Sequence, residues 1–243
     1  MIVLLDRPFP ETSLAQSAEL DLRNIGPKVW PQVLAHCRAQ KLRLYHLTLA
    51  SLQGLERLVD TRELALEWAT KIDDMTPLWQ LIRLQSLSIV DVPRLRDLAG
   101  IESLQQLTRL HLSGSQGASG NPMRLVSLEP LVGLPGLSEL SLVNARVDDD
   151  DIRVLARCTG LRRLKLSNQF ERAQVAFVAG RLNSQLAEPL TACIETRVPC
   201  KKCAAPTSLF SGRRMPFLCP DCDRKRFEQL TGEFDQLVRE AQG

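Results

Sequence analysis

Leucine and isoleucine recur along this chain in the frame L-x-x-L-x-L. The stretches LQSLSIVDV (84–92), LTRLHLSGS (107–115), LSELSLVNA (137–145) and LRRLKLSNQ (161–169) align without gaps, with an aliphatic residue at relative positions 1, 4 and 6. SAELDLRNI (17–25), AQKLRLYHL (39–47) and TRELALEWA (61–69) keep the last two of these positions. Alternate residues of an extended strand face opposite ways, so positions 4 and 6 turn inward together while positions 3, 5 and 7 turn outward. Taken at position 4, Leu20, Leu42, Leu64, Leu87, Leu110, Leu140 and Leu164 step by 22, 22, 23, 23, 30 and 24 residues. Leu47 with Leu49 fits the local frame as well as Leu42 with Leu44 does, and even spacing favours the latter.

The intervening segments repeat as well. SLQGLERL (51–58), DLAGIESL (97–104) and SLEPLVGLPGL (127–137) space their apolar residues by about three, as a turn of α or 3₁₀ helix does. VWPQVLAHC (29–37), holding His36 and Cys37, reads as another return helix. One strand and one return cannot cover their own apolar face, so stacking is what builds the core. The pattern resembles the leucine-rich repeat family, particularly the short-repeat kind of bacterial internalin-like proteins, over roughly residues 14 to 182. The resemblance implies an α/β solenoid of about seven short parallel strands within residues 1–182, with a concave face that binds a protein. The family's usual Asn or Cys at the ninth position is replaced by Ile25, Leu47, Ala69, Val92, Ser115, Ala145 and Gln169, while Asn24, Asn144 and Asn168 stand one residue earlier. Either the polar ladder is absent or the turns differ. The long step contains GSQGASGNPMR (114–124), expected as a looped-out insertion; no GK[ST] follows it, as a phosphate loop needs.

The outward positions define a candidate partner face: Arg43, Tyr45, Glu67, Arg109, His111, Glu139, Arg163 and Lys165. It is mixed in charge and small in its middle, which suits a protein better than a small molecule. The acidic run DDDDIRVL (148–155) lacks the spaced oxygens and glycine of a calcium loop and is expected to cap the next return helix. The three histidines lie in no recognised nucleophile motif, and the chain reads as a non-enzyme.

Composition narrows the rest. An apolar share of 44% and a charged share of 24% are those of an ordinary globular protein, and aromatics at 5% leave the core to aliphatic side chains. A net charge of +3 is too small to name a nucleic-acid or membrane partner, so any electrostatic argument is local. MIVLLDRPFP contains no secretory apolar region, and four of seven cysteines fall into metal-type spacing. A cytoplasmic location with reduced thiols follows as the expectation, and no membrane partner.

Those four are Cys200, Cys203, Cys219 and Cys222, two CxxC knuckles that match a structural four-thiolate zinc site. Iron would use the same ligands, and disulfides would require export. The segment between the knuckles reads as two short strands about Ser211-Gly212, a zinc-ribbon layout within a module spanning 183–243. Beyond it, Phe227, Leu230, Phe234, Leu237 and Val238 form a helical stripe that packs on the ribbon, caps the last coil or meets a partner. An alternative function is nucleic-acid binding through Lys201, Lys202, Arg213 and Arg214, with Phe210 and Phe217 as stacking rings. Cys219-Pro220-Asp221 also mimics an element of bacterial leucine-rich-repeat ubiquitin ligases, but Cys219 belongs to the metal pattern.

Overall fold

Every expected strand forms, and in register. The computed structural model describes residues 1–115 and 120–243. Its first strands are β1 (Ile2–Leu4), β2 (Glu19–Ile25), β3 (Lys41–Leu47), β4 (Glu63–Glu67), β5 (Ser86–Val90) and β6 (Arg109–Ser113). They are followed by β7 (Met123–Leu125), β8 (Glu139–Val143), β9 (Ala145–Val147) and β10 (Arg163–Leu166). Eight of these make one parallel sheet in the order β1-β2-β3-β4-β5-β6-β8-β10. Leu20, Leu42, Leu64, Leu87, Leu110, Leu140 and Leu164 lie opposite one another from rung to rung, and all are buried. Leu42 and Leu44 therefore take the inward positions of β3, and Leu47 ends that strand opposite Ile25. The repeat frame does not reach β1, which adds an eighth strand by pairing Ile2–Leu4 with Asp21–Arg23.

The returns run behind the sheet. They comprise α1 (Trp30–His36), α2 (Thr76–Trp79) and 3₁₀ turns at Leu55–Arg57, Ile101–Ser103, Glu129–Gly133 and Arg153–Arg157. Leu55, Ile101, Leu131 and Leu155 on those turns are fully buried, so the aliphatic core lies between strands and returns. Prolines open α1, α2 and the 129–133 turn, where a missing N–H breaks no helical bond.

The departure at the ninth position has a backbone cause. Asn24, His46, Trp68, Asp91 and Asn144, one residue earlier, hold left-handed φ values of 61°, 58°, 55°, 54° and 45°. That residue turns the chain so that Ile25, Leu47, Ala69, Val92 and Ala145 enter the core. Main-chain bonds between rungs then do the joining: Leu47 N–H donates to Trp68 O at 3.1 Å and Trp68 N–H to Val90 O at 3.0 Å. Asparagine tolerates this conformation better than most residues, which explains its early placement.

The expected loop at 114–124 is only partly a loop. Residues 116–119 lie outside the described residues. Met123–Leu125 instead pairs with Ala145–Val147 as a second small sheet, with Met123 and Leu125 buried. Ser115 N–H donates to Asn121 O at 3.0 Å, and the Asn144 amide donates to Ser115 O at 3.0 Å. A side chain at Gly114 would bring its Cβ to 2.4 Å from Asn121 O, so only glycine fits.

Past the last rung come α3 (Arg172–Leu182), β11 (Cys193–Pro199), β12 (Pro206–Phe210), β13 (Phe217–Leu218) and α4 (Arg224–Gln242). The ribbon has three antiparallel strands, β11 being an addition to the two expected. The apolar stripe of α4 divides its work. Phe227 meets Phe210 of the ribbon edge-on at 5.0 Å, while Phe234, Leu237 and Val238 join the solenoid core beside α3. Gly180 of α3 admits the close approach, since a Cβ there would lie 2.7 Å from Val238 O. The terminal helix thus covers the open end of the stack, as a solenoid requires.

Candidate functional site

The outward side chains of the eight-stranded sheet, from β2 through β6 to β8 and β10, form one continuous face, held largely by its own ion pairs. Arg43 grips Glu67 through Nε and Nη2 at 2.9 and 2.6 Å, and reaches Asp21 at 2.9 Å. Arg23 makes a second fork onto Asp21 at 3.0 and 2.7 Å. Both guanidinium groups lie over the Tyr45 ring, 5.5 Å away for Arg23 and 4.8 Å for Arg43. The Arg23 bond, with Arg43 behind it, holds the Asp21 carboxyl below its ordinary range. Further along, Arg109 bonds Glu63 at 3.0 Å and Arg163 bonds Glu139 at 2.7 Å.

Between these pairs the floor is made of small residues. Ala65, Ser86, Ser88 and Ser141 leave two adjoining open troughs of about 340 and 380 Å³ that share Ser86 and Ser88. His111 and Lys165 border the larger one. Burial, then the nearby Lys165 charge, lowers the His111 pKa, so its imidazole is neutral at pH 7. Among the described residues Lys165 has no ion-pair partner. Of the residues expected on this face, Arg109, His111, Glu139, Arg163 and Lys165 line the larger trough and Arg43 the smaller, Tyr45 and Glu67 lie against Arg43, and Glu188 from the segment after α3 also lines the larger one.

Two further residues escaped the sequence frame. Trp68 is 42% exposed, whereas Trp30 and Trp79 are buried. Its indole stacks on His46 at 4.3 Å and meets Tyr45 edge-on at 5.8 Å, while His46 Nδ1 shares a 2.8 Å hydrogen bond with Asn24. The available signal was the eighth position of each repeat, where Asn24, Asp91 and Asn144 suit a left-handed backbone and Trp68 and His46 do not.

The four cysteines converge as their spacing requires: their sulfurs all lie within 4.8 Å of one another, with Cys203 and Cys219 at 3.5 Å. A zinc ion with sulfur at about 2.3 Å would space tetrahedral ligands by ~3.8 Å. Lys202 N–H donates to Cys200 Sγ at 3.4 Å. That backbone donor and the one at Cys203 bring the Cys200 thiol down to about 7, while hydrogen bonding with Cys203 and then burial push Cys222 up to about 12. Four thiols so close resist losing their protons together unless a cation is among them. The donor set fits a soft divalent metal and leaves no coordination position open. The second knuckle leads straight into α4, since Cys219 N–H bonds the Asp223 carboxylate at 3.1 Å and Asp223 N–H bonds Cys219 O at 3.0 Å.

The nucleic-acid set needs correction. Arg213 is spent on Asp150 at 2.7 Å and Glu171 at 2.9 Å, which fasten the ribbon to the solenoid. Phe210 is fully buried and has no face to offer a base. Lys201, Lys202 and Arg214 are exposed, as is Phe217. The acidic run does not supply the cap expected of it: the N-cap of the 153–157 turn is Ile152, and Asp151 before it accepts from Arg153 N–H at 2.8 Å, while Asp148 and Asp150 pair with Arg96 and Arg213.

No family model and no curated protein matches this chain. Among solved structures, an internalin (inlF) from Listeria monocytogenes is similar over 71% of this chain and 48% of its own, at 19% identity and a TM-score of 0.51. Internalin C2 from the same species covers 61% of this chain and 68% of its own, at 19% identity and a TM-score of 0.41. A leucine-rich-repeat protein of Leptospira interrogans covers 66% and 39%, at 18% identity and a TM-score of 0.44. The chain spans about half the length of the first of these. The likeness to that internalin is one of fold: a leucine-rich-repeat solenoid.

Proposed function

We propose that this protein is a non-enzymatic recognition module whose concave face, Arg43 to Lys165, docks a protein partner. The observation that carries this reading is Trp68. A bulky residue in left-handed backbone costs on the order of 1–3 kcal/mol, and the fold is equally served by Asn or Asp at the same place in other rungs. An exposed tryptophan kept there beside the molecule's one tyrosine and two stacked arginines has the composition of an interface hot spot. The ion-paired side chains are already ordered, which lowers the entropy cost of docking on them. Zinc at Cys200, Cys203, Cys219 and Cys222 is structural in this account: it joins the two knuckles and fixes the start of α4. The thiols stay reduced, in keeping with a cytoplasmic site of action. Affinity purification with wild-type protein and with a variant altered at Tyr45, Trp68, Arg163 and Lys165 tests the proposal. A nucleic-acid role for the ribbon has less support, because Arg213 and Phe210 are occupied within the fold.

A further inference from the structure

The ribbon has two faces, and the chain uses one of them. Phe210 and Leu218 are buried on the inner side, where Phe210 meets Phe227 of α4. On the other side the register places Ile194 opposite Leu209, and Leu209 opposite Phe217. These three side chains form one apolar stripe across all three strands, with Ile194 61% and Phe217 52% exposed. Leu209 between them is half-buried, and among the described residues Ile194 and Phe217 at its two ends stay open to solvent, although polar residues would serve equally well on a solvent face of so small a sheet. The surroundings are basic. Arg213 and Arg224 are neutralised by carboxylates, but Arg197, Lys201, Lys202, Arg214, Lys225 and Arg226 are exposed and have no ion pair among the described residues. Glu195, Asp221 and Asp223 are the acids there without an ion pair among the described residues, so the six cations still outnumber them even with two charges offset by a metal–tetrathiolate centre.

We infer that this outer ribbon face is a second docking surface, for an acidic protein segment that carries aliphatic or aromatic side chains between its carboxylates. Charge complementarity selects the acidic partner. The stripe selects protein over single-stranded nucleic acid: two of its three side chains are aliphatic and offer no ring on which bases stack. The site is independent of the concave face, so one molecule engages two partners, or two regions of one partner.

The test uses the full, metal-loaded chain with three fluorescent probes. One is a synthetic acidic peptide with leucine and phenylalanine between glutamates, another is the same peptide with serine at the apolar positions, and the third is an oligothymidylate. The first peptide should bind, weaken with salt, and bind at least tenfold more tightly than the other two. The double substitution Ile194→Ser with Phe217→Ser should lower that affinity at least tenfold, with metal content and concave-face capture unchanged. Arg197→Glu with Arg214→Glu should do the same through charge while leaving the stripe intact. Absence of peptide binding, tighter binding of the oligonucleotide, or equal affinity in both double variants would overturn the inference.

Discussion

The Trp68 indole lies on the His46 imidazole with ring centroids 4.3 Å apart, and both residues hold left-handed backbone. The pair bridges neighbouring rungs at the step where other rungs place Asn24, Asp91 or Asn144. Stacking offsets part of the backbone cost but explains neither the exposure of Trp68 nor its edge contact with Tyr45. Those make sense as a surface held ready for contact.

Trp68→Asn therefore separates folding from recognition. Asparagine relieves the backbone while the stack is lost, so thermal unfolding should shift by no more than a few degrees in either direction. Affinity for the partner should fall at least tenfold, as for a hot-spot tryptophan. Calorimetry and a binding titration on the same preparation check both.

Two glycines on facing helices should respond oppositely to alanine. Gly232 of α4 has nothing within 4 Å of an added Cβ, and Gly232→Ala should stabilise the protein by about 1 kcal/mol through helix propensity. Gly180→Ala drives its methyl group into Val238 O and Ala241, and should cost about 1–3 kcal/mol by prising α4 from α3. Urea unfolding of the two variants reads the contrast.

Metal should arrive at one equivalent per chain. Cys219→Ser, which alters the buried ligand of the set, should lose it, as should a strong chelator. Because the second knuckle runs into α4, amide exchange across 224–242 should accelerate on metal loss while β4 to β8 stay protected. Elemental analysis and exchange mass spectrometry measure the two effects.

His111 makes the middle of the face sensitive to acid. Its folded pKa lies below the ordinary 6.5 because of burial and then Lys165. The unfolded chain therefore takes up the proton first as pH falls, and stability drops between 6.5 and the folded pKa. Above 6.5 the contribution is full. His111→Asn should flatten that limb in urea titrations, and Lys165→Met should move the His111 titration upward by NMR.

Much of this architecture was legible because it rests on period. The leucines from Leu20 to Leu164 can be sheltered only if neighbouring coils stack, and the two CxxC pairs can be drawn together from spacing alone. Elements without internal repetition were not legible. The strand at Ile2–Leu4 is three residues long and precedes the frame, and Cys193–Pro199 lacks an alternating apolar pattern because none of its residues is fully buried on either face. The fate of the charges was also hidden. Arg213 looked like a free ligand for phosphate until the fold set Asp150 and Glu171 beside it, and Phe210 looked available until Phe227 closed over it. Trp68 was hidden for a subtler reason, since a frame built on buried leucines says little about the residue that turns the chain between rungs.

The most direct test compares what co-purifies with two forms of the protein. One is wild type, and the other carries Tyr45→Ala, Trp68→Asn, Arg163→Glu and Lys165→Glu, with matched unfolding curves and metal content. The concave face as docking surface predicts a defined protein recovered in stoichiometric amount with wild type and absent from the variant. Recovery of the same protein in equal amount by both forms would contradict it.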